Sequence, residues 1–186
     1  GGKIIGNMKI GFCGTVSVGK TTLVNALSEL PEFKDYITRT ERSKHLMEMG
    51  IPLNTDSTLK GQCIFLSERV TELFQPNIIT DRTVIDVIAF SNLSTSMTSK
   101  EKATFNNLAS NMISDYDYIF YVSPEGVEIE DNGVRETNSE YRDRIDNEIQ
   151  SLLYFKSNLI KNIKHLKGTT EERIQTVKET IPFQYL

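Results

Sequence analysis

Gly14-Thr15-Val16-Ser17-Val18-Gly19-Lys20-Thr21 is the stretch on which the reading of this chain turns. It satisfies G-x-x-x-x-G-K-[ST] at every fixed position, and its setting matters as much as its letters. Ahead of it, Met8 to Cys13 is a short apolar run that predicts a strand. Behind it, Thr21 to Leu30 carries leucines and an alanine at helical spacing until Pro31. Strand, glycine-bounded loop and helix in that order set a curl of backbone N–H groups at the positive end of a helix, which suits phosphate oxygens. The pattern therefore assigns Gly14, Thr15, Val16, Ser17, Val18, Gly19, Lys20, Thr21 and Thr22 to the phosphates of a nucleoside triphosphate. Lys20 is expected to bridge the β- and γ-phosphates, and the Thr21 hydroxyl to ligate Mg²⁺.

Working outward, apolar runs at Tyr36–Thr38, Asn77–Thr80, Tyr116–Val122 and Ile163–Leu166 predict four more strands. Helical patterns fall between them at Arg42–Met49, from Leu59 to Pro76, at Val84–Leu93, at Lys100–Ser114, from about Glu140 to Phe155 and at Thr170–Thr180. In the second of these, Leu59, Cys63, Leu66, Val70 and Leu73 advance by four, three, four and three, which is one stripe on one face. Strands that alternate with helices predict an α/β fold: a five-stranded parallel sheet with helices on both faces. The charged segment Glu125 to Glu140 is too polar for a core element, and a mobile lid is expected over about residues 125–144. Residues 1–7 precede Met8 and are expected to be a remnant outside the domain, with residues 8–186 forming one unit.

The chain has 186 residues, with 21 basic against 25 acidic side chains and a formal net charge of −4. That balance argues against a protein whose main work is gripping a polyanionic duplex, so nucleic acid is not expected as a partner. The two cysteines, Cys13 and Cys63, lie in apolar stretches without a second sulfur or histidine at ligand spacing, and are expected to be reduced and buried. No run approaches a membrane span and no signal peptide is evident, which predicts a cytoplasmic protein. His45 and His165 have no neighbour that suggests catalysis or a metal.

Three further segments bear chemistry. The strand Ile78-Ile79-Thr80 delivers Asp81 and Arg82 at its carboxyl end, the side on which open α/β sheets bind ligands. Asp81 is a candidate for orienting Mg²⁺ or accepting a proton from an attacking hydroxyl, and Arg82 for holding the acceptor or the migrating phosphoryl group. The alternative for Asp81 is to cap the next helix. Arg135, Arg142 and Arg144 lie in the lid region, where cations that close over the site offset the charge of phosphoryl transfer. Their alternative is a solvated face, because Arg142 with Asp146 and Arg144 with Glu148 are i,i+4 pairs. Arg39, Glu41 and Arg42 leave the second strand toward the same edge as the phosphate loop. Gln62, on the following helix, carries an amide able to read a base edge.

On GTVSVGKTTL, TDRTVID and DNGVRETNSEYRDRIDNEI, the chain resembles P-loop nucleoside and nucleotide kinases, the ribosylnicotinamide-kinase-like and phage-type nucleotide kinases above all, with thymidylate-kinase-like features. The resemblance runs from Met8 over nearly the whole chain. It implies that Asp81 lies at the transfer site, that Arg82 contacts acceptor or phosphate, that Arg135, Arg142 and Arg144 close over ATP, and that Gly168 to Arg173 pack against adenine. Thymidylate kinases carry an Arg-Glu-Pro-Gly turn after the second strand. This chain instead reads Thr38-Arg39-Thr40-Glu41-Arg42.

Two arginines in that loop favour an acceptor that already bears a phosphate. The expected activity is thus an ATP- and Mg²⁺-dependent transfer of the γ-phosphoryl group to a (deoxy)nucleoside monophosphate, with a homodimer left open. A nucleoside or ribosylnicotinamide kinase is the alternative, and a non-catalytic ATP-binding regulator a further one. A GTPase would need Asn-Lys-x-Asp and an Asp-x-x-Gly after the third strand, and neither stands in place. A motor ATPase would want an Asp-Glu pair where Asp81 is followed by arginine.

Overall fold

The computed structural model describes residues 3–4, 6–40, 43–125 and 139–185. Five parallel strands form the central sheet: β2 (Lys9–Cys13), β3 (Ile37–Arg39), β4 (Ile78–Asp81), β5 (Tyr118–Val122) and β6 (Ile163–Leu166), in the spatial order β3-β4-β2-β5-β6. Each predicted strand is present, its ends differing from the prediction by at most two residues and, for Ile163–Leu166, not at all. A separate two-stranded antiparallel ribbon joins β1 (Lys3–Ile4) to β7 (Gln184–Tyr185), so the first residues pair with the last ones.

Period-two alternation divides the apolar side chains between the sheet's faces. Ile10, Phe12, Phe120 and Val122 point to one face and meet Leu23, Val24 and Leu27 of α1 (Lys20–Ser28) and Val177 of α7 (Thr170–Thr180). Cys13, Ile119 and Tyr121 point to the other, against α3 (Leu59–Glu72), α4 (Val84–Asn92), α5 (Ser99–Ser110) and α6 (Ser139–Phe155). The remaining helix, α2 (Ser43–Glu48), buries Leu46. α4 packs against α3, α5 and α6, which explains why six of its first six residues, Asp86 among them, are buried. Its close seat requires Gly11: a Cβ there would stand 2.5 Å from the Thr83 methyl and 2.8 Å from the Tyr116 ring.

Two expectations need correction. Cys63 is exposed, not buried. The inward stripe of α3 is instead Gln62, Leu66, Arg69 and Leu73, a four-three-four advance that leaves Cys63 about a hundred degrees away around the axis. The helix predicted to reach Ser114 stops at Ser110 and gives way to a 3₁₀ turn at Ile113–Asp115, which feeds Tyr116 into the core.

The topology positions the site. The chain leaves β2 with β4 on one side and β5 on the other, so the carboxyl end of β2 opens into the crevice where strand order reverses. The loop Gly14–Gly19 lies there, flanked by Asp81 at the end of β4 and Ser123 just beyond β5.

Candidate active site

The loop is held in shape by its own lysine and by both neighbouring strands. Gly19 takes φ +82, the left-handed region, and a Cβ on it would press to 3.3 Å from the Arg173 guanidinium, so glycine is required twice over. Ser17 also has positive φ, at 57. Lys20, the first residue of α1, is buried, and its ammonium donates to the carbonyls of Gly14 at 2.9 Å and Thr15 at 2.8 Å. The cation is thereby fixed at the centre of the curl, beside the N–H groups of the helix start.

On the β4 side, the Thr21 hydroxyl donates to Asp81 Oδ2. Asp81 is buried, and its other oxygen, Oδ1, has no hydrogen-bond partner among the described residues. Asp81 does not cap α4: Thr83 does, accepting from the N–H of Ile85 and sharing a capping box with Asp86. A hard cation seeks oxygen donors, and the Thr21 hydroxyl beside an incompletely satisfied carboxylate is a fitting pair for Mg²⁺. Among the described residues no group of three or more His, Cys, Asp or Glu forms a metal cluster, so a cation here would take its remaining ligands from phosphate and water.

Arg82 turns toward the loop. Its φ of 113 is unusual for a residue with a side chain, and the guanidinium donates to the Gly14 carbonyl at 2.9 Å and to Asp86 Oδ1 at 3.2 Å while lying 4.9 Å from the centre of the Phe90 ring. Asp86, fully buried, accepts from the Gly14 N–H at 3.0 Å and from the Thr83 N–H at 2.7 Å. Both polar groups of Gly14 are thus tied to one ion pair at the start of α4. Asp86 is not among the residues expected from the sequence, although Thr83-x-x-Asp86 has capping-box spacing.

On the β5 side, Arg173 of α7 donates to the Val18 carbonyl at 2.6 Å and to the Ser123 carbonyl at 3.1 Å. Burial lowers the pKa of this guanidinium from its ordinary value. The Thr15 hydroxyl donates to the backbone carbonyl of Arg142 at 2.8 Å, and the Arg142 side chain reaches the Pro124 carbonyl at 3.3 Å. Arg142 is therefore brought to the loop. Arg144 is exposed on α6, and its i+4 neighbour Glu148 accepts from Asn92 at 2.9 Å. Beside Arg142 an open cleft of about 520 Å³ runs between α6 and β6, with Tyr121, Asp146, Gln150 and His165 along it.

Toward the end of β3 the picture is sparser. Gln62 is buried on α3, whose start is capped by Thr58, and its side-chain amide makes no hydrogen bond among the described residues. Arg39 is exposed at the end of β3 and lines a cavity of about 200 Å³ with Arg69 and Glu72. Arg69 and Glu72 form a buried ion pair that the sequence reading did not single out. Burial disfavours the Arg69 charge, but Glu72, with Tyr116 and Glu68, more than offsets it and holds the guanidinium pKa above its ordinary value. The signal was available in the spacing: Arg69 stands seven residues after Gln62, two turns along the same face. Glu41, Arg42 and Arg135 lie outside the described residues, as does most of the expected lid, residues 126–138.

Sheet, loop and brace together define an α/β P-loop nucleotide-binding domain. The chain belongs to the family described as AAA domain, whose model matches residues 9–173. It shares its fold with deoxyadenosine kinase from M. mycoides bound to dCMP and a flexible dCDP, at 17% identity and a TM-score of 0.61 over 92% of this chain and 97% of that one. NadR in complex with NR is similar at 18% identity and a TM-score of 0.73, over 97% of this chain and 53% of NadR, so the chain spans about half of that protein. Thymidylate kinase from Candida albicans matches at 14% identity and a TM-score of 0.64, covering 94% and 90%. No functionally curated protein matches the sequence. No helix among the described residues is long and apolar enough to cross a membrane.

Proposed function

We propose that this chain is a kinase that transfers the γ-phosphoryl group of ATP to a (deoxy)nucleoside monophosphate. The observation that carries the reading is the meeting of Lys20, Thr21 and Asp81 where the central sheet opens. A buried ammonium sits within a curl of amides, next to a buried carboxylate with one oxygen unpartnered. Phosphoryl transfer asks little covalent chemistry of a protein and much positioning and charge. Lys20 and the loop amides meet the phosphate oxygens, and Thr21 with Asp81 would hold Mg²⁺, whose charge offsets that of the triphosphate. With an uncharged nucleoside as acceptor, Asp81 would take the proton of the attacking hydroxyl; a monophosphate attacks through a phosphate oxygen and brings no such proton. Arg82 acts chiefly through Gly14, as a positioning residue for the loop, and Arg142 together with Arg135 and Arg144 supplies cations from the following segment.

Gln62 reads the acceptor base with its amide, and Arg39, with Glu41 and Arg42, meets its sugar and phosphate. Two arginines in one loop support a monophosphate acceptor, since a neutral nucleoside gives a guanidinium little to grip. The likeness to NadR bound to NR supports a second reading, a nucleoside or ribosylnicotinamide kinase. A coupled assay of ADP release over deoxynucleoside monophosphates, nucleosides and nicotinamide riboside separates them. Turnover with monophosphates is expected. Turnover with uncharged nucleosides alone overturns the acceptor assignment, and ATP binding without acceptor-dependent ADP release leaves only a nucleotide-binding regulator.

A further inference from the structure

Burying an arginine takes a charge out of water, and a fold ordinarily answers with a carboxylate. Of the three arginines buried among the described residues, Arg69 is neutralised by Glu72 and Arg82 by Asp86. Arg173, 2% exposed on α7, meets no carboxylate among the described residues. Its terminal nitrogens donate to the Val18 carbonyl at 2.6 Å and the Ser123 carbonyl at 3.1 Å, and its buried Nε has no hydrogen-bond partner among those residues. The preceding residue, Glu172, is engaged elsewhere: its carboxylate accepts from the Thr169 N–H at 3.2 Å and closes the capping box of α7. One positive charge is left over behind the phosphate loop.

Where that charge sits decides what it can do. The guanidinium lies directly against the loop, since a Cβ on Gly19 would meet its Nη1 at 3.3 Å. The carbonyl and N–H of one trans peptide point in opposite directions, so a grip on the Val18 carbonyl from α7 turns the Gly19 N–H away from α7. Gly19 is the N-cap of α1, whose first amides carry the positive end of that helix. The second bond, to Ser123 just beyond β5, ties the same guanidinium to the sheet. The loop cannot shift on this side without breaking one of the two.

We propose that Arg173 is a positioning residue for the phosphates, through its charge and through its hold on the Val18–Gly19 peptide. A triphosphate in the loop supplies the counter-charge that the fold does not, across a single layer of backbone, and meets a Gly19 N–H already aimed from behind. Arg173 is thereby assigned to the phosphates and not to the adenine that the kinase resemblance implies for Gly168 to Arg173. The inference rests on the loop as a phosphate site, as the kinase reading does. It is independent of which acceptor receives the phosphoryl group.

Calorimetric titration of the full chain with ATP and with inorganic tripolyphosphate, each with Mg²⁺, separates phosphate from base, and thermal melts serve as the folding control. Wild type is expected to bind both. Arg173→Gln offers N–H donors without the charge, and is expected to weaken both ligands by a similar factor of about ten or more, the scale of one charge acting at short range in a partly buried site. Arg173→Lys keeps the charge as a single ammonium and is expected to stay within about threefold of wild type for both. Loss of ATP affinity with tripolyphosphate binding unchanged returns Arg173 to the adenine and overturns the inference, as does a wild type that binds ATP alone. So does an Arg173→Gln variant that binds both ligands like wild type, or an Arg173→Lys variant weakened tenfold on both, whose charge then counts for nothing. If Arg173→Gln does not fold, Arg173→Lys decides by itself. Failure of both variants to fold assigns the guanidinium to the fold and overturns the inference too. A wild type that binds neither ligand defeats the phosphate loop and the kinase reading with it; no other outcome touches that reading.

Discussion

The brace around Gly14 at the start of α4 is finished before any ligand arrives, whereas the carboxylate that ends β4 and the amide of Gln62 beyond it are not. Around Gly14, every neighbour is committed: Asp86 takes its N–H, Arg82 and Lys20 take its carbonyl, and Thr83 closes the box. Near the acceptor, the Gln62 amide and Asp81 Oδ1 are buried or nearly so and have no partner among the described residues. Unsatisfied buried polar groups cost stability, typically about 1–3 kcal/mol each. Asp81 Oδ1 is such a group beside the phosphate loop, where a ligand would complete it. Triphosphates are all alike in shape and charge, so their cradle can be rigid; the acceptor is where kinases of one fold differ.

The largest effect expected from this contrast is on the rigid side. Lys20→Ala removes a cation tied into the curl by two carbonyls of the loop itself, and transfer should fall by about a thousandfold or more, on the scale of losing a principal transition-state charge. Steady-state ADP release measures it. A Lys20→Ala variant that turns over at the wild-type rate would break the assignment of the loop. Next comes Asp86→Ala, which strands the Arg82 guanidinium in a site where the two side chains are 8% and 0% exposed. Removing one partner of a buried pair typically costs about 3–5 kcal/mol, and the midpoint of urea unfolding should drop accordingly, with nucleotide affinity falling too. Asp86→Ala with an unchanged midpoint would mean that the loop does not depend on this brace.

Legibility in the sequence followed the same divide. The loop was readable because its mechanism fixes residue types at fixed spacing, and the parallel sheet because each buried strand is a short apolar run between helices. Asp81 and Arg82 were readable from their place at a strand's end. The inward role of Arg82 was not, since nothing in a linear string says that Asp86, four residues on, lies between that arginine and Gly14. α3 shows a second reason. Its apolar stripe is real, yet Gln62 and Arg69 share the inward face, and a periodicity count that accepts only apolar residues rotates the helix toward Cys63.

Substituting Gln62 sharpens the contrast from the sparse side. Gln62→Leu keeps the volume and removes an amide that has no internal bond to lose, so stability should hold or rise slightly. The KM for the acceptor should increase about tenfold with little change in the KM for ATP, as expected when one hydrogen-bonding group on a substrate edge goes unmatched. Equal changes in both constants would show that Gln62 supports the fold as a whole and not the acceptor.

The smallest effect lies away from both flanks and serves as their control. The Tyr36 hydroxyl donates to the Gly6 carbonyl at 2.6 Å, tying the residues ahead of Met8 to the edge of the sheet. Burial pushes the Tyr36 phenol up from 10.0 to about 12. A folded-state pKa raised above the unfolded one means that this stabilisation is complete below pH 10 and is lost as pH rises through about 12. Tyr36→Phe should therefore cost about 1 kcal/mol or less at neutral pH, the scale of a single exposed hydrogen bond. It should also flatten the fall in thermal stability between those two pH values, while leaving both KM values alone. A change in either KM would show that the edge strand carrying Arg39 responds to the amino-terminal residues, and that the acceptor side is braced from farther away than the contacts around β3 indicate.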